Sequence, residues 1–165
     1  MNVLRRLLFC SLLLMVSSST GFSQVYKGLD EVNFTGGFAF SHSGGSTFQT
    51  MQFDIDYGHF VMERLEIGAA FSINKFESRG AFGTMSGSLS YYFPGSKDAK
   101  ALPFIGAQVG FDYSDAPTPG VAGIFAGYKV FVVKGGGAFT IRAFYSQRAY
   151  QGSYFGMQNG ISIFF

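Results

Sequence analysis

Large apolar residues recur at every second position through most of the chain, and small or polar residues fill the positions between them. In 32–41, Val32, Phe34, Phe38 and Phe40 alternate with Asn33, Thr35, Gly37, Ala39 and Ser41. In 48–58, Met51, Phe53, Ile55 and Tyr57 alternate with Thr50, Gln52, Asp54, Asp56 and Gly58, and in 65–74 Leu65, Ile67, Ala69, Phe71 and Ile73 oppose Glu66, Gly68, Ala70, Ser72 and Asn74. A period of two sends neighbouring side chains to opposite faces of a β-strand, so each segment is a strand with one apolar face. The pattern returns in 81–93, 104–113, 139–148 and 155–165. Segment 121–132 is less regular: Ile124, Ala126, Tyr128 and Val130 share a parity that Phe125 and Phe131 break. With it the count is eight strands. No heptad or 3.6-residue period competes with this reading.

The connections separate into two sets. Polar or turn-rich stretches at 42–47, 75–80, 114–120 and 147–153 alternate with 59–64, 94–102 and 133–137, as expected for loops at one rim and turns at the other. An even number of strands also brings both termini to one side.

Alternation by itself fits either a soluble or a membrane barrel, and the polar parity distinguishes them. Its residues are mostly Gly, Ala, Ser, Thr, Gln and Asn, which suit a narrow interior, whereas a watery exterior needs Lys and Glu. Only 13% of residues are charged, against about 25% in ordinary soluble proteins, while 47% are hydrophobic and 18% aromatic. A sheet with its apolar side in hydrocarbon must close on itself, because lipid satisfies no strand edge. The expected fold is therefore all-β, an eight-stranded antiparallel up-and-down transmembrane β-barrel. Aromatics near strand ends, at Tyr57 and Phe60, Tyr91 to Phe93, Phe104 and the stretch 150–155, are expected to form interfacial girdles.

The first 23 residues read as a cleavable signal peptide. Arg5 and Arg6 form a positive start, an apolar run covers 7–16, and Gly21, Phe22 and Ser23 offer a cleavage site, leaving 24–165 as the barrel domain. The ten-residue run is about half the ~20 residues that a membrane helix needs. These two arginines account for the whole formal charge of +2. The remainder is neutral and has no basic stripe for nucleic acid, and it contains no cysteine for disulfide or thiol chemistry.

Charged residues on the inward parity are the candidate site. Asp54, Asp56, Glu66 and Asp112 share it with Lys129 and Arg142, and unpaired charges in a narrow lumen are costly, so these six are expected to form an internal ion-pair network. The same residues could line an ion path, which makes a narrow pore the alternative. His42 and His59 are expected in connections at opposite rims, too far apart for one metal site or dyad, and Gly135–Gly137 lacks the following helix and Lys-Ser/Thr of a phosphate cradle. Pro117, Thr118 and Pro119 read as a stiff loop tip. No catalytic, metal or cofactor site is expected.

The run Gly58-His59-Phe60-Val61-Met62-Glu63-Arg64-Leu65-Glu66-Ile67-Gly68 resembles the strand-turn-strand signature of small outer-membrane proteins of the OmpA and OmpX type. Pro103-Phe104-Ile105-Gly106-Ala107-Gln108-Val109-Gly110-Phe111 resembles their fifth strand, and the ending Ile161, Ile163, Phe165 looks like their terminal assembly signal. The resemblance implies a bacterial outer-membrane location, contact with outer-membrane lipids and recognition by the barrel assembly machinery. It names no surface ligand. Some outer-membrane lipid-modifying enzymes share this architecture and use a rim His with Ser, for which His42-Ser43 is the candidate here. The expected role is structural or surface-interacting, without catalysis.

Overall fold

The computed structural model describes residues 25–43, 45–76, 80–93, 100–113, 120–133, 136–149 and 152–165. The expected signal peptide, the Pro117–Pro119 tip and most of the 94–102 connection lie outside them. Eight strands follow in chain order: β1 (Asp30–Ser43), β2 (Ser46–Met62), β3 (Leu65–Phe76), β4 (Ala81–Tyr92), β5 (Ala101–Tyr113), β6 (Gly120–Val133), β7 (Gly137–Arg148) and β8 (Gly152–Phe164). Each pairs antiparallel with its chain neighbour, and β8 pairs with β1 to close the barrel.

The register aligns like faces around the cylinder. Phe34 lies opposite Ile55, Ile55 opposite Phe71, Phe71 opposite Met85 and Met85 opposite Phe111, which makes an apolar row on the outside. One residue along, Thr35, Asp54, Ser72, Thr84 and Asp112 form the matching inner row. Outward side chains have no cover from the described residues, with Met51 57% and Val109 67% exposed, whereas Asp54 and Asp112 are buried. The period of two thus produces two opposite surfaces, apolar outside and polar within.

Several boundaries differ from the sequence reading. Strands run further into the expected connections, so β1 and β2 are separated by two residues, 44–45, and β2 and β3 by Glu63 and Arg64. Hairpin pairing continues as long as backbone groups can bond, whatever the polarity of the side chains. His42 and His59 consequently belong to β1 and β2 instead of to connections. Arg64 has a φ of 71°, the left-handed conformation that closes the β2–β3 turn beside a bulge at Phe60/Met62.

The aromatic girdle also needs correction. Phe60, Tyr92, Phe104 and Tyr154 point inward and are at least 96% buried. Phe125 and Phe131, which interrupt the pattern of β6, point inward too. Phe60, Tyr92, Phe104, Phe125, Phe131 and Phe164 pack with Leu29, Leu102 and Ala138 into an apolar plug. Most of its members sit toward the rim where β1 begins and β8 ends. Tyr57, Tyr91, Phe93 and Phe155 face outward as expected.

Candidate functional site

The lumen is layered along its axis. Just above the apolar plug, Lys129 Nζ forms an ion pair with Glu31 Oε2, both side chains being buried. Rings of Tyr92, Phe104 and Phe164 surround the ammonium at 5.1, 5.7 and 5.5 Å from their centroids, an arrangement that attracts a cation through the ring quadrupoles. Tyr92 Oη donates to Glu66 Oε2 at 2.5 Å. Gly58 makes room for that carboxylate, since a Cβ there would lie 1.7 Å from Glu66 Oε1.

The middle layer centres on Arg142. Its Nη2 reaches Asp54 Oδ2 at 2.6 Å and its Nη1 reaches Asp56 Oδ2 at 3.2 Å, so one guanidinium spans two carboxylates. Gln52 donates to Asp54 Oδ1 at 3.0 Å, Gln158 donates to Asp54 Oδ2, and Asn33 donates to Asp56 at 3.0 Å. Toward the far rim, Arg148 Nη1 approaches Asp112 Oδ2 at 3.3 Å, and Thr84 donates to Asp112 Oδ1 at 2.6 Å. Rings of Phe82 and Tyr154 lie 4.7 and 4.3 Å from the Arg148 guanidinium.

The six expected network residues all reach the lumen but fall into separate groups. Asp54, Asp56 and Arg142 meet directly, Lys129 and Glu66 belong to the layer below, and Asp112 lies above. Sequence reasoning left out two partners, Glu31 for Lys129 and Arg148 for Asp112. Both carry the inward parity: Glu31 stands one residue before the strand expected at 32, and Arg148 closes the alternation of 139–148.

Five lumenal carboxylates, Glu31, Asp54, Asp56, Glu66 and Asp112, face three cations, Lys129, Arg142 and Arg148, among the described residues. Between the lower two layers lies a cavity of about 30 Å³ bordered by Glu31, Asp56, Glu66, Lys129 and Arg142. Glu31 Oε1 and Asp56 Oδ1 have no protein hydrogen-bond partner among the described residues. A polar space of this size suits about two water molecules. The arrangement fixes side chains and fills the interior.

Histidines lie elsewhere. His42 Nδ1 is 3.4 Å from Thr47 Oγ1 across the β1–β2 hairpin. On the outer face near the other rim, Asp30 Oδ1 accepts from Tyr57 Oη at 2.6 Å and lies 2.8 Å from His59 Nδ1. Pairing of Asp30 with His59 in the β1–β2 register brings them together, and Tyr57, two residues before His59, shares that face. No group of three or more His, Cys, Asp or Glu suited to a metal occurs among the described residues.

The crystal structure of Neisserial surface protein A superposes with a TM-score of 0.72 at 14% identity, covering 83% of this chain and 99% of that one. The fold is that of the small outer-membrane barrels. The N-terminal β-barrel domain of Pseudomonas aeruginosa OprF gives a TM-score of 0.66 at 15% identity, over 84% of this chain and 98% of the other. A de novo designed transmembrane β-barrel gives 0.58 at 16% identity, over 87% and 100%. At these identities the likeness is one of architecture. No protein-family model and no curated protein matches the chain.

Proposed function

We propose that this chain is a bacterial outer-membrane barrel with a structural or surface-interaction role and no catalytic activity, exported behind residues 1–23 and spanning the membrane with 24–165. The observation that carries the reading is the contrast between its two faces. Large apolar side chains cover an outer surface that none of the described residues shields, while ion pairs and aromatic rings fill the interior. Such an exterior is stable in hydrocarbon and not in water. Ile161, Ile163 and Phe165 lie exposed on that exterior, where barrel assembly machinery has access to them before insertion.

A narrow pore is the competing role. The aromatic plug and the three charged layers favour a closed lumen, since eight strands leave space that side chains fill. Purified protein added to a planar lipid bilayer is expected to insert without producing conductance steps. Discrete steps that persist when Lys129 and Arg142 are intact would replace the structural role with the pore. The membrane reading is tested separately: the protein should partition with detergent, and recovery as a monomer from detergent-free buffer would overturn it.

A further inference from the structure

Resting on the membrane reading just given, we infer that the β8–β1 face is a self-association surface, on which Asn159 of one copy pairs with Asn159 of a second. Between Phe155 and Phe165, the outward positions of β8 are Phe155, Met157, Asn159, Ile161, Ile163 and Phe165, and Asn159 alone among them is polar. It lies near mid-strand, opposite Ile141 of β7 and Gly36 of β1. This is the hydrocarbon depth of the proposed barrel. Asn159 is exposed and forms no side-chain hydrogen bond with the described residues. An amide with two donors and an acceptor is costly in lipid tails, which offer it no partner.

The surroundings allow another surface to reach that amide. Gly36 stands beside Asn159 without a side chain, and a Cβ built there would find nothing nearer than 3.9 Å. Asn159 and Gly36 both line an open hollow of about 790 Å³ on the outer surface, bordered by Phe38, Phe53, Ile141 and Met157 and, further from Asn159, by Lys75. Small residues let membrane-embedded surfaces approach closely, and a polar side chain at such an interface supplies the bond that holds them.

The occupant follows from the chemistry of the amide. An acyl chain fills an apolar hollow but cannot bond to Asn159. A second copy inserted in the same orientation brings its own Asn159 to the same depth, and a carboxamide is complementary to itself, donor to acceptor in both directions. A two-fold axis along the membrane normal produces this pairing, the isologous contact of a symmetric dimer.

Sedimentation equilibrium of the purified protein in density-matched detergent tests the inference. The wild type is expected to be in monomer–dimer equilibrium, with Asn159→Leu roughly tenfold weaker in association and Asn159→Gln between the two. Heat-dependent gel mobility of each variant establishes that the barrel is folded, so a loss of dimer is not a loss of structure. A wild type that stays monomeric, or an Asn159→Leu variant that associates as tightly, would overturn the proposal. So would a monomer that retains a lipid which Asn159→Leu releases, because the hollow would then be a lipid site. All of these outcomes leave detergent partitioning, and with it the membrane reading, unchanged.

Discussion

Arg142 holds two carboxylates from a largely buried position, with its own side chain 12% exposed, which makes it the side chain whose loss should matter most. Arg142→Ala leaves Asp54 and Asp56 without their cation. Removing one partner from a buried pair typically costs about 3–5 kcal/mol, because the remaining charge keeps its desolvation penalty. We expect urea unfolding in lipid vesicles, followed by circular dichroism, to show a loss of this size, with a smaller loss for Asp56→Asn, which keeps an oxygen in place. Gly58 offers a second test that isolates one contact. The atoms that a Cβ at Gly58 meets most closely all belong to the Glu66 side chain, so Gly58→Ala should overpack the lumen at a cost of about 1–3 kcal/mol. Glu66→Ala alone strands the Tyr92 hydroxyl, which is buried and donates to that carboxylate. In the double variant the clash has gone, and its stability should match Glu66→Ala alone. Additive losses would show that Gly58 acts through the backbone and not through the space it leaves.

At the level of strands and turns, Arg64 is the described non-glycine residue with a positive φ. A left-handed conformation costs such a residue roughly 1–2 kcal/mol, and the freer unfolded chain of a Gly variant offsets ~0.4–1 kcal/mol of that gain. Arg64→Gly should therefore raise the unfolding midpoint by a net stabilisation of about 0.5–1 kcal/mol, and Arg64→Pro should lower it. How far the strands could be read beforehand depends on the same local rules. Outward positions were legible because an apolar period of two survives along each strand, so strand number, order and closure followed directly. Inward aromatics were not, since hydrophobicity by itself does not state a face. Phe125 looked like a break in β6, yet it fills space that Gly106 opens: a Cβ on Gly106 would lie 2.3 Å from its ring. Parity, not proximity to a strand end, places Phe60, Tyr92 and Phe104 inside. The lumenal charges were legible as a set because they share that parity, but their partition into three layers depends on register between strands distant in sequence, as for Asp54 and Arg142, 88 residues apart. Asn159 interrupts the apolar parity of β8 in plain sight, and its depth became apparent only when β1 was paired alongside.

For the molecule as a whole, closure is the property from which resistance to denaturation should arise. Each strand is bonded on both sides, and β8 against β1 completes the circuit from Glu31–Phe164 to His42–Ser153. A sheet without edges offers detergent no place to begin separating strands, and the kinetic barrier to opening is the simultaneous loss of a whole ladder. Unheated protein should therefore migrate on a denaturing gel as a compact species and shift on boiling. Deleting 152–165 removes β8 and leaves the facing edges of β1 and β7 unpaired over about a dozen positions each. The truncated chain should show one mobility, heated or not, because an open seven-stranded sheet cannot satisfy its edge N–H and C=O groups in lipid. A filled lumen with intact ion pairs cannot compensate for that loss, since the Arg142 layer itself takes Gln158 from the missing strand. If the truncated chain kept the heat-dependent shift, the lumenal network and plug would be sufficient to hold the sheet, and closure would be incidental to its durability.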